Sequence, residues 1–458
     1  MAHGDRTEHE TQLAAIREIA AERKQPVAVL VDLAGPKIRL GELPGDELIC
    51  DTDDRIRFVR EPEVEAPPVP PPTEEPESHG SAQGQELTTT YQRLVDELSV
   101  GDRVMLADGT VALEVEAVEP DYAQCRVVQP GRIRSRQGVN LPGVKLSVPA
   151  LGPKDRDNAA WAAQRGVDFV GLSFVRRAEE IRELKQLLGD HSSDAQVVAK
   201  IEKPEALANL EAIVEASDAV MVARGDLGVE IDIAEVAVAQ KRIIDECNRR
   251  RRPVIIATQM LDSMQHSPLP TRAEVTDVAN AILDGADACM LSGETAIGEY
   301  PRQSVEMMHR IALATEPMYR RRPAAPPPDL SAANVNPITE ATVYAASQMA
   351  QQLEARLIVV ATASGATALA LAKNRNFMPT VGVSKSEAVL RRMCLYWGVI
   401  PLADAPIEDS EALLEHVTAW AHRRGLLDDG DRLVLIAGTG LPVSRHNMIV
   451  VHQVERTA

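Results

Sequence analysis

The chain has 458 residues, 45% of them hydrophobic, and a formal net charge of −19 at pH 7. At roughly 150 residues per domain, this length predicts about three domains. The negative charge argues against nucleic acid and anionic membrane surfaces as partners, although a local site can still bind small anions. Five scattered cysteines without CxxC spacing predict reduced thiols in a cytoplasmic protein. No apolar run reaches the roughly 18 residues of a membrane span, and the polar N-terminus is unlike a signal peptide.

The start of the chain predicts one helix and one buried strand. Residues 11–23 carry apolar side chains at helical spacing, and residues 26–32 form an apolar run that ends in Asp32. Gly35-Pro36 breaks the strand, and Lys37 and Arg39 follow. A strand that exits into charge is typical of the catalytic edge of a barrel. A solvated turn is the alternative interpretation.

Residues 42–140 lack helical periodicity. Short alternating segments at 103–106 and 111–118 are separated by Gly, Asp and Pro turns, which predicts a small β domain. Within it, residues 61–86 are rich in Pro, Glu, Ser and Gly, so we expect a disordered loop that cannot bury a core. Recognition of a partner by its prolines is a less favoured alternative.

From residue 141 onward, apolar runs of strand length alternate with helical patterns. With the strand at 26–32, these runs make six parallel strands of an α/β barrel, and a helix at 304–315 ends it. A complete (β/α)8 barrel has eight strands, so we expect the first two to be missing. The five further strands are predicted at 168–173, 197–201, 218–223, 253–258 and 287–292.

A Pro-rich linker at 319–336 separates the barrel from a third unit at 337–458. Helices are predicted near 340–353, 366–373, 387–396 and 411–423, and strands near 356–361, 380–383, 400–402, 432–436 and 448–454. This alternation predicts an open α/β sheet. The predicted domains are therefore a barrel from 1–41 and 141–318, a β domain from 42–140 and a C-terminal α/β domain.

The stretch 198–230 carries most of the predicted chemistry. One apolar run leads into Lys200 and Glu202, and a second leads into Gly225 and Asp226. Lys200 and Glu202 are two residues apart on a strand, so their side chains point the same way. A cation beside two carboxylates suits Mg²⁺ and the transfer of a phosphoryl group. A surface ion pair that caps two core strands is the alternative.

Further polar residues follow the other predicted strands. We expect the segments after two of the strands, 225–228 and 293–294, to be loops, whose glycines would let backbone N–H groups reach an anion. No Walker loop, Ser–His–Asp set or dinucleotide fingerprint is found. The additional strand-end residues are Asp32, Lys37, Arg39, Ser173, Thr258 and Ser292.

Together these motifs make the sequence resemble pyruvate kinase over almost its whole length. The resemblance implies a barrel, a mobile β domain inserted after its third strand and a C-terminal α/β domain. The matching segments are 32–39 (DLAGPKIR), 138–144 (GVNLPGV), 149–155 (PALGPKD), 166–176 (GVDFVGLSFVR), 200–202 (KIE), 221–230 (MVARGDLGVE), 257–264 (ATQMLDSM), 270–274 (PTRAE) and 277–296 (DVANAILDGADACMLSGETA).

The resemblance also implies the reaction, which is phosphoryl transfer from phosphoenolpyruvate to ADP to give pyruvate and ATP. It implies Mg²⁺ or Mn²⁺ as cofactor, with Glu202 and Asp226 as ligands, and Lys200 beside the phosphoryl group in transfer. Thr258 and Ser292 match residues near the enolate during its protonation, and Gly225, Asp226 and Thr258 match residues that hold the substrate carboxylate. Residues that match the nucleotide side of the site are Arg39, Lys154, Asp108 and His3.

Three departures from family members that bind K⁺ agree with one another. Ala2 and Leu33 stand where those members carry Ser and Thr, and Lys37 stands where they carry Glu. The ammonium group of Lys37, next to Asp32, would then replace the free cation. We therefore expect activity without K⁺.

The chain begins at a position that matches the segment just after the second barrel strand. An arginine that binds phosphate and an asparagine of the cation site have no counterpart. Since an open barrel would expose apolar edges, we expect an upstream segment that this sequence lacks. A truncated, non-catalytic paralogue with a regulatory role is the alternative. A Mg²⁺-dependent lyase of pyruvate-like substrates is less favoured, because it has no use for Asp108 and Lys154.

The C-terminal domain contains a motif, TASGAT, in front of a predicted helix. Its hydroxyl groups and glycine predict a site for a phosphorylated effector, with an ordinary helix cap as the alternative. The resemblance further implies a homotetramer. The effector residues are Thr362, Ser364, Gly365 and Thr367.

Overall fold

The computed structural model describes residues 4–60, 82–321, 336–438 and 446–455. The strands are β1 (Leu30–Leu33), β2 (Glu47–Cys50), β3 (Arg55–Val59), β4 (Glu86–Leu87), β5 (Arg103–Leu106), β6 (Val111–Val118), β7 (Tyr122–Gln129), β8 (Gly131–Arg134), β9 (Val139–Asn140), β10 (Phe169–Leu172), β11 (Gln196–Ile201), β12 (Ala219–Ala223), β13 (Val254–Ala257), β14 (Ala288–Met290), β15 (Leu357–Ala361), β16 (Thr380–Val383), β17 (Val399–Leu402), β18 (Arg432–Gly438) and β19 (His446–Gln453).

The α-helices surround the sheets, and short 3₁₀ turns connect several elements. The helices are α1 (Arg6–Glu22), α2 (Leu94–Glu97), α3 (Pro153–Gln164), α4 (Ala178–Asp190), α5 (Pro204–Ala208), α6 (Leu210–Ala216), α7 (Arg224–Glu230), α8 (Val236–Arg249), α9 (Arg272–Asp284), α10 (Gly293–Ala296), α11 (Pro301–Thr315), α12 (Pro337–Gln352), α13 (Ala366–Lys373), α14 (Glu387–Met393) and α15 (Ser410–Arg423). Among the described residues, no helix is both long enough and apolar enough to span a membrane.

The barrel sheet contains the six strands that the sequence predicts. They are parallel and follow the chain in the order β1, β10, β11, β12, β13 and β14. The central strands β10, β12 and β13 are buried along their whole length, as expected for parallel strands covered on both faces. Side chains of β14 are only half-buried. Within the described ranges, β1 and β14 are the two edges of a curled sheet, which is part of a barrel.

Three aspartates tie the N-terminal ends of this sheet together. Each lies immediately before a strand, and its Oδ2 accepts, at 2.8 Å, the N–H of a valine within one residue of the start of the neighbouring strand. The valine carbonyl in turn accepts the aspartate N–H at 2.9–3.0 Å. The pairs are Asp168 with Val29, Asp218 with Val197, and Asp287 with Val254.

Each of the three aspartates pairs with at least one cation. The C-terminal domain supplies one of the two cations of Asp168 and both cations of Asp287. Because carboxylates in a low-dielectric interior need a partner, these ion pairs neutralise the charge of the three aspartates at this end of the sheet. The pairs are Asp168 with Arg17 (2.9 Å) and Arg391 (2.7 Å), Asp218 with Lys185 (2.7 Å), and Asp287 with Lys373 (2.5 Å) and Arg375 (3.0 Å).

Between β1 and α3 lies the β domain, whose six-stranded sheet and two-stranded sheet enclose one apolar core. Burial alternates along β3 and β7, as the two-residue repeat of a strand requires. Most of the predicted disordered loop, 61–81, lies outside the described residues. Its last five residues correct the prediction: Ala82 is buried, and Glu86 and Leu87 pair with β3. The polar composition of 82–86 concealed a short strand that needs only one apolar side chain.

The C-terminal domain is an open sheet with the order β17, β16, β15, β18 and β19, in which only β19 runs antiparallel among the described strands. Apolar clusters lie on both of its faces. An additional ion pair between Arg251 and Glu340 links the barrel to α12. Most of the predicted linker, 322–335, lies outside the part of the chain that the structure describes.

Candidate active site

The C-terminal ends of the barrel strands surround the ammonium group of Lys200. This residue is the fifth of β11 and is 9% exposed. Its Nζ lies 3.0 Å from Oδ2 of Asp32, 2.8 Å from Oγ of Ser173 and 3.0 Å from Oε1 of Glu202. These groups follow from β1, β10 and β11, so three neighbouring strands fix one charge in one position. The structure therefore brings together the strand-end residues predicted for the centre of the site.

The electrostatics of Lys200 and Glu202 are set by their burial. Burial alone would lower the pKa of Lys200, but the carboxylates of Glu202 and Asp32 outweigh it and raise the pKa above its usual range. Lys200 is thus a permanent cation. Burial raises the pKa of Glu202, and the negative charge of Asp226 adds to this effect, whereas Lys200 opposes it. A second positive charge beside Glu202 and Asp226 would balance the negative charge of these two carboxylates.

Glu202 and Asp226 are two carboxylates of the site that could hold a divalent cation. Oε2 of Glu202 accepts the N–H of Phe174 at 2.7 Å. Its buried Oε1 accepts no well-formed hydrogen bond from a described residue and has only the nearby Lys200 charge. No cluster of three or more His, Cys, Asp or Glu side chains with metal-binding geometry occurs among the described residues. Two carboxylates fit Mg²⁺, which commonly keeps water and substrate oxygens as its other ligands.

Gly225, Asp226 and Thr258 meet where β12 and β13 end. The sequence pattern favours a loop at Gly225 and Asp226, but both lie in the first turn of α7. The helix begins directly at the strand end, so the N–H groups of its first turn, which have no partner within the helix, lie at the C-terminal edge of the sheet. The N–H of Gly225 donates to Oγ1 of Thr258 at 2.8 Å, and Thr258 has φ +70°. A positive φ is costly for a β-branched residue, so the surrounding structure must hold this turn.

Arg224 holds the turn at Thr258 in place. No role for this residue was predicted from the sequence. Its guanidinium donates to the carbonyl oxygens of Thr258 at 2.8 Å and of Gln259 at 3.3 Å, and Gln259 also has a positive φ of 55°. The other side of the group donates to Asp277 at 2.8 Å. The available signal was its place immediately before Gly225 in the strongest motif, but nothing local indicates that the side chain folds back onto the next strand.

Ser292 follows β14 on the far side of the site. Its Oγ is buried and has no hydrogen-bond partner among the described residues. Its N–H donates to Glu294 at 2.7 Å, and the same carboxylate accepts the N–H of Leu261 at 2.9 Å. Gly293 and Glu294, expected in a loop, belong to the short helix α10. Glu294 therefore orients a hydroxyl group that is left free to contact a ligand.

The residues predicted to contact a nucleotide are spread along the opening towards the β domain. Arg39 is half-buried and donates to the carbonyl oxygen of Arg136 at 3.1 Å. Lys154 is exposed in the first turn of α3. The backbone of Asp108 lies in the 3₁₀ turn Ala107–Gly109, which packs against α7. The side chain of Asp108 and the whole of His3 lie outside the described residues.

The residues predicted to replace K⁺ lie in different surroundings. Lys37 is exposed, and the described part of the chain offers it no salt bridge. Asp32 instead pairs with Lys200. Leu33 is fully buried in the barrel core, so its side chain supplies no ligand oxygen. Ala2 lies outside the described residues.

In the C-terminal domain, the TASGAT motif leads from β15 into α13. The N–H of Gly365 donates to Oγ1 of Thr362 at 3.0 Å, and the N–H of Ala366 lies 3.4 Å from Oγ of Ser364. Thr367 is buried in the first turn of the helix. Gly365 has φ +85°, which explains the glycine. The hydroxyl groups thus occupy N–H groups that a phosphate would use, as a helix cap does.

Comparison with known proteins assigns this arrangement to a family. The family described as "Pyruvate kinase, barrel domain" matches residues 1–305, and "Pyruvate kinase, alpha/beta domain" matches residues 340–452. This chain belongs to the pyruvate kinase family. The resemblance inferred from the motifs is therefore confirmed, as is the α/β barrel fold.

Curated relatives match over nearly the whole chain. Pyruvate kinase of Geobacillus stearothermophilus is 39% identical over 98% of this chain and 74% of the relative. Pyruvate kinase of Corynebacterium glutamicum is 39% identical over 98% of this chain and 90% of the relative. The crystal structure of a pyruvate kinase from Cryptosporidium parvum superimposes with a TM-score of 0.85 at 31% identity, covering 99% of this chain and 89% of that one.

Proposed function

We propose that this pyruvate kinase family member transfers a phosphoryl group from phosphoenolpyruvate to ADP and yields pyruvate and ATP, the reaction used in glycolysis. The observation that carries the proposal is the ammonium group of Lys200, buried and held by Asp32, Ser173 and Glu202 beside a second carboxylate, Asp226. A fixed cation next to a divalent-metal site suits phosphoryl transfer, in which positioning and electrostatic stabilisation do most of the work.

Lys200 would stabilise the phosphoryl group as it passes from the enol oxygen of phosphoenolpyruvate to the terminal phosphate oxygen of ADP. Its position needs no rearrangement, because hydrogen bonds to Asp32 and Ser173 and the charge of Glu202 already fix it, and such preorganisation is the main source of electrostatic catalysis. Glu202 and Asp226 would hold Mg²⁺ or Mn²⁺, which when bound neutralises charge on the phosphoryl and carboxylate oxygens. The buried, unsatisfied Oε1 of Glu202 supports this assignment.

The substrate carboxylate would lie against the start of α7. The N–H groups of Gly225 and Asp226 at the helix start and the hydroxyl group of Thr258 are close together there. The free Oγ of Ser292 supports its proposed place, with Thr258, near the enolate that is protonated to pyruvate.

The nucleotide would bind where the β domain faces the barrel. Arg39 and Lys154 supply positive charge on the barrel side of this opening, and we propose that Asp108 and His3 contribute from its other sides. The glycine of the Asp108 turn, Gly109, approaches Val229 of α7 so closely that an added Cβ would lie 3.4 Å from that side chain. Closure of the β domain would exclude water from the transfer.

One assay separates the competing functions. Pyruvate and ATP are measured together from phosphoenolpyruvate, with and without ADP. A kinase is expected to form both products in equal amounts and only with ADP. Pyruvate-type products released without ADP would support a lyase, and no activity from a folded chain would support a non-catalytic paralogue. The same assay on a chain extended upstream in frame would test whether additional barrel strands are required.

We also propose that the enzyme needs no added K⁺. The exposed ammonium group of Lys37 and the apolar Leu33 support this proposal. In tetramethylammonium buffer the rate should change little on addition of K⁺, and strong stimulation would contradict the proposal. Lys37→Gln should lower kcat, whereas Lys145→Gln, which removes another exposed lysine beside the β domain, should not.

The separate apolar cores support the proposed division into a barrel (1–41 and 141–318), a β domain (42–140) and a C-terminal domain (337–458). Limited proteolysis should cut first in 61–81 and 319–336. The homotetramer is supported by large apolar side chains exposed near the start of α8, Ile233 at 75% and Val238 at 68%. Light scattering would test it.

A phosphorylated effector at the TASGAT turn remains a proposal. It requires Thr362 and Ser364 to exchange their bonds to backbone N–H groups for bonds to phosphate. Activation curves with sugar phosphates, measured for the protein and for Ser364→Ala, would test it. The cytoplasm is the proposed location, and the five unpaired cysteines support it, because disulfides are rare there.

A further inference from the structure

A buried ion pair lies directly behind the two proposed metal ligands. Nζ of Lys203 is 2.6 Å from Oε1 of Glu230, and the two side chains are 11% and 1% exposed. Lys203 follows Glu202 in the chain. Glu230 lies four residues after Asp226 on α7, hence on the same side of that helix. The ion pair therefore connects the segment that carries one proposed ligand to the helix that carries the other.

Two further contacts extend this connection. Nδ2 of Asn140, at the end of β9 in the β domain, donates to the same Oε1 of Glu230 at 3.3 Å. Lys203 also lies 5.7 Å above the ring of Phe174, whose N–H donates to the ligand Glu202. Oε2 of Glu230 is buried and accepts no hydrogen bond from a described residue. The pair thus sits at the junction of both ligand segments and the β domain.

Stability alone does not account for such a pair. Bringing two charges out of water costs about as much as their mutual attraction returns, so a buried ion pair adds little net stability over apolar residues of similar size. Groups that hold metal ligands in position, in contrast, strongly affect metal affinity. Lys203 and Glu230 have the burial and the connections of such groups, although neither reaches the ligands with its own oxygen or nitrogen in the described contacts.

We propose that Lys203 and Glu230 are a positioning pair that sets the separation of Glu202 and Asp226 and thereby the affinity of the site for a divalent cation. The inference rests on the proposed function for the assignment of those two ligands. Asn140 joins the β domain to the same pair, so the position of the β domain and the geometry of the metal site are linked through Glu230.

A positioning role and a purely electrostatic role predict opposite signs for one variant. If the pair acted through charge alone, Lys203→Met would remove a repelling cation and tighten metal binding, whereas Glu230→Gln would weaken it. If the pair holds the ligands in place, both variants weaken binding. The double variant, Lys203→Met with Glu230→Gln, keeps the net charge and buries no lone ion. It should still bind weakly if position matters, and it should bind like the original protein if only charge does.

The experiment measures Mn²⁺ binding to the full chain by electron paramagnetic resonance of free Mn²⁺, without substrate or nucleotide. We expect each single variant and the double variant to raise Kd by roughly 10- to 100-fold, the range found for outer-shell partners of metal ligands. Lys203→Arg should restore part of the affinity. Lys185→Met is the control, because it breaks an ion pair of similar N–O distance (2.7 Å), with Asp218, at the opposite end of the sheet. It should leave Kd unchanged.

Glu202→Gln tests the assignment on which the inference depends. If it leaves Mn²⁺ binding unchanged, the proposed metal site itself is wrong. If it weakens binding while Lys203→Met tightens it, or while the double variant binds like the original protein, the positioning role is overturned and the metal site stands. Thermal unfolding of every variant shows whether weak binding reflects loss of fold, and the double variant covers the case in which Lys203→Met does not fold.

Discussion

The two ends of the barrel sheet are both rich in charge but differ in how that charge is satisfied. At the N-terminal ends, each of three aspartates accepts a backbone N–H and pairs with at least one cation. At the C-terminal ends, Oε1 of Glu202 and Oγ of Ser292 are buried without a well-formed hydrogen bond, and Thr258 has a positive φ. The N-terminal end thus has a cation for every one of these aspartates, although Oδ1 of Asp287 also lacks a well-formed hydrogen bond. The C-terminal end has in addition a hydroxyl group without a partner among the described residues and a strained turn.

This difference separates stability from function along a single sheet. At the N-terminal ends, aspartates paired with cations hold the strands and the C-terminal domain together. At the C-terminal ends, the hydroxyl group without a partner and the strained backbone are available to a ligand. Substitutions at the N-terminal ends should therefore lower stability and leave kcat unchanged. Substitutions at the C-terminal ends should lower catalytic activity and leave stability nearly unchanged. The following four substitutions test this separation.

Lys200→Met should have the largest effect. It removes the fixed cation from the phosphoryl position, so we expect kcat to fall on the order of 10³-fold, comparable to the loss of a preorganised group that stabilises charge in the transition state. Steady-state rates of pyruvate formation measure the loss. Lys185→Met, which removes the α4 partner of Asp218 at the N-terminal ends of β11 and β12, is the control and should retain kcat. A Lys200→Met rate within tenfold of the original would contradict the assigned role.

Asp287→Asn should mainly destabilise the protein. Lys373 and Arg375, 1% and 15% exposed, would lose their counter-charge, and we expect a cost of about 3 kcal/mol in the free energy of unfolding. Urea unfolding measures this cost, and kcat of the folded fraction should not change. Loss of kcat without loss of stability would break the separation between the two ends.

The same variant should show a stronger pH dependence of stability than the original protein. Burial lowers the pKa of Lys373 even though Asp287 opposes this effect, and without Asp287 the pKa falls further. The unfolded chain then binds more protons than the folded one between the lowered pKa and the ordinary lysine value of 10.5, so stability should rise with pH across that window.

Arg224→Lys should weaken substrate binding with a smaller effect. Lysine keeps the positive charge but has a single nitrogen in place of the planar fork, which reaches Asp277 with one nitrogen and both carbonyl oxygens with the other, so the turn at Thr258 and Gln259 should relax. We expect kcat/KM for phosphoenolpyruvate to fall by roughly tenfold, about 1.4 kcal/mol, mostly through KM. An unchanged KM would show that the turn keeps its strain without Arg224.

Arg391→Gln should have the smallest effect. Asp168 keeps Arg17 and the N–H of Val29, so no lone charge is left buried. The expected loss is about 1 kcal/mol in the free energy of unfolding, with kcat unchanged. A larger loss would mean that the C-terminal domain, and not the barrel alone, supports this end of the sheet. Arg17→Gln is the matched comparison.

Sequence pattern predicted the strands well because each is an apolar run that ends in a charged residue. The six barrel strands and the cluster at Lys200, Glu202 and Asp32 follow from that pattern, since parallel strands deliver their C-terminal residues to one edge. The pattern says nothing about side chains that cross between elements. Arg224 reaching the carbonyl oxygens of Thr258 and Gln259, and Lys203 meeting Glu230, join residues 27–35 positions apart.

Backbone details were also beyond local reasoning. The positive φ of Thr258 is imposed by tertiary contacts against the preference of the residue, so no propensity indicates it. The helices that start at Arg224 and Gly293 were expected to be loops, because seven and four residues are too few to show helical periodicity. The two-residue strand at Glu86 was hidden by its polar neighbours for the same reason.

The aspartate–valine rings at the base of the sheet divide it into three two-stranded modules: β1 with β10, β11 with β12, and β13 with β14. Within a module, two reciprocal bonds close the strand origins, and between modules the ladder continues without them. The sheet is therefore a row of doublets rather than of equivalent strands. The boundaries between doublets, after β10 and after β12, have the same four-residue ladders as the doublets β1–β10 and β11–β12, so only the bonds at the strand origins set the doublets apart.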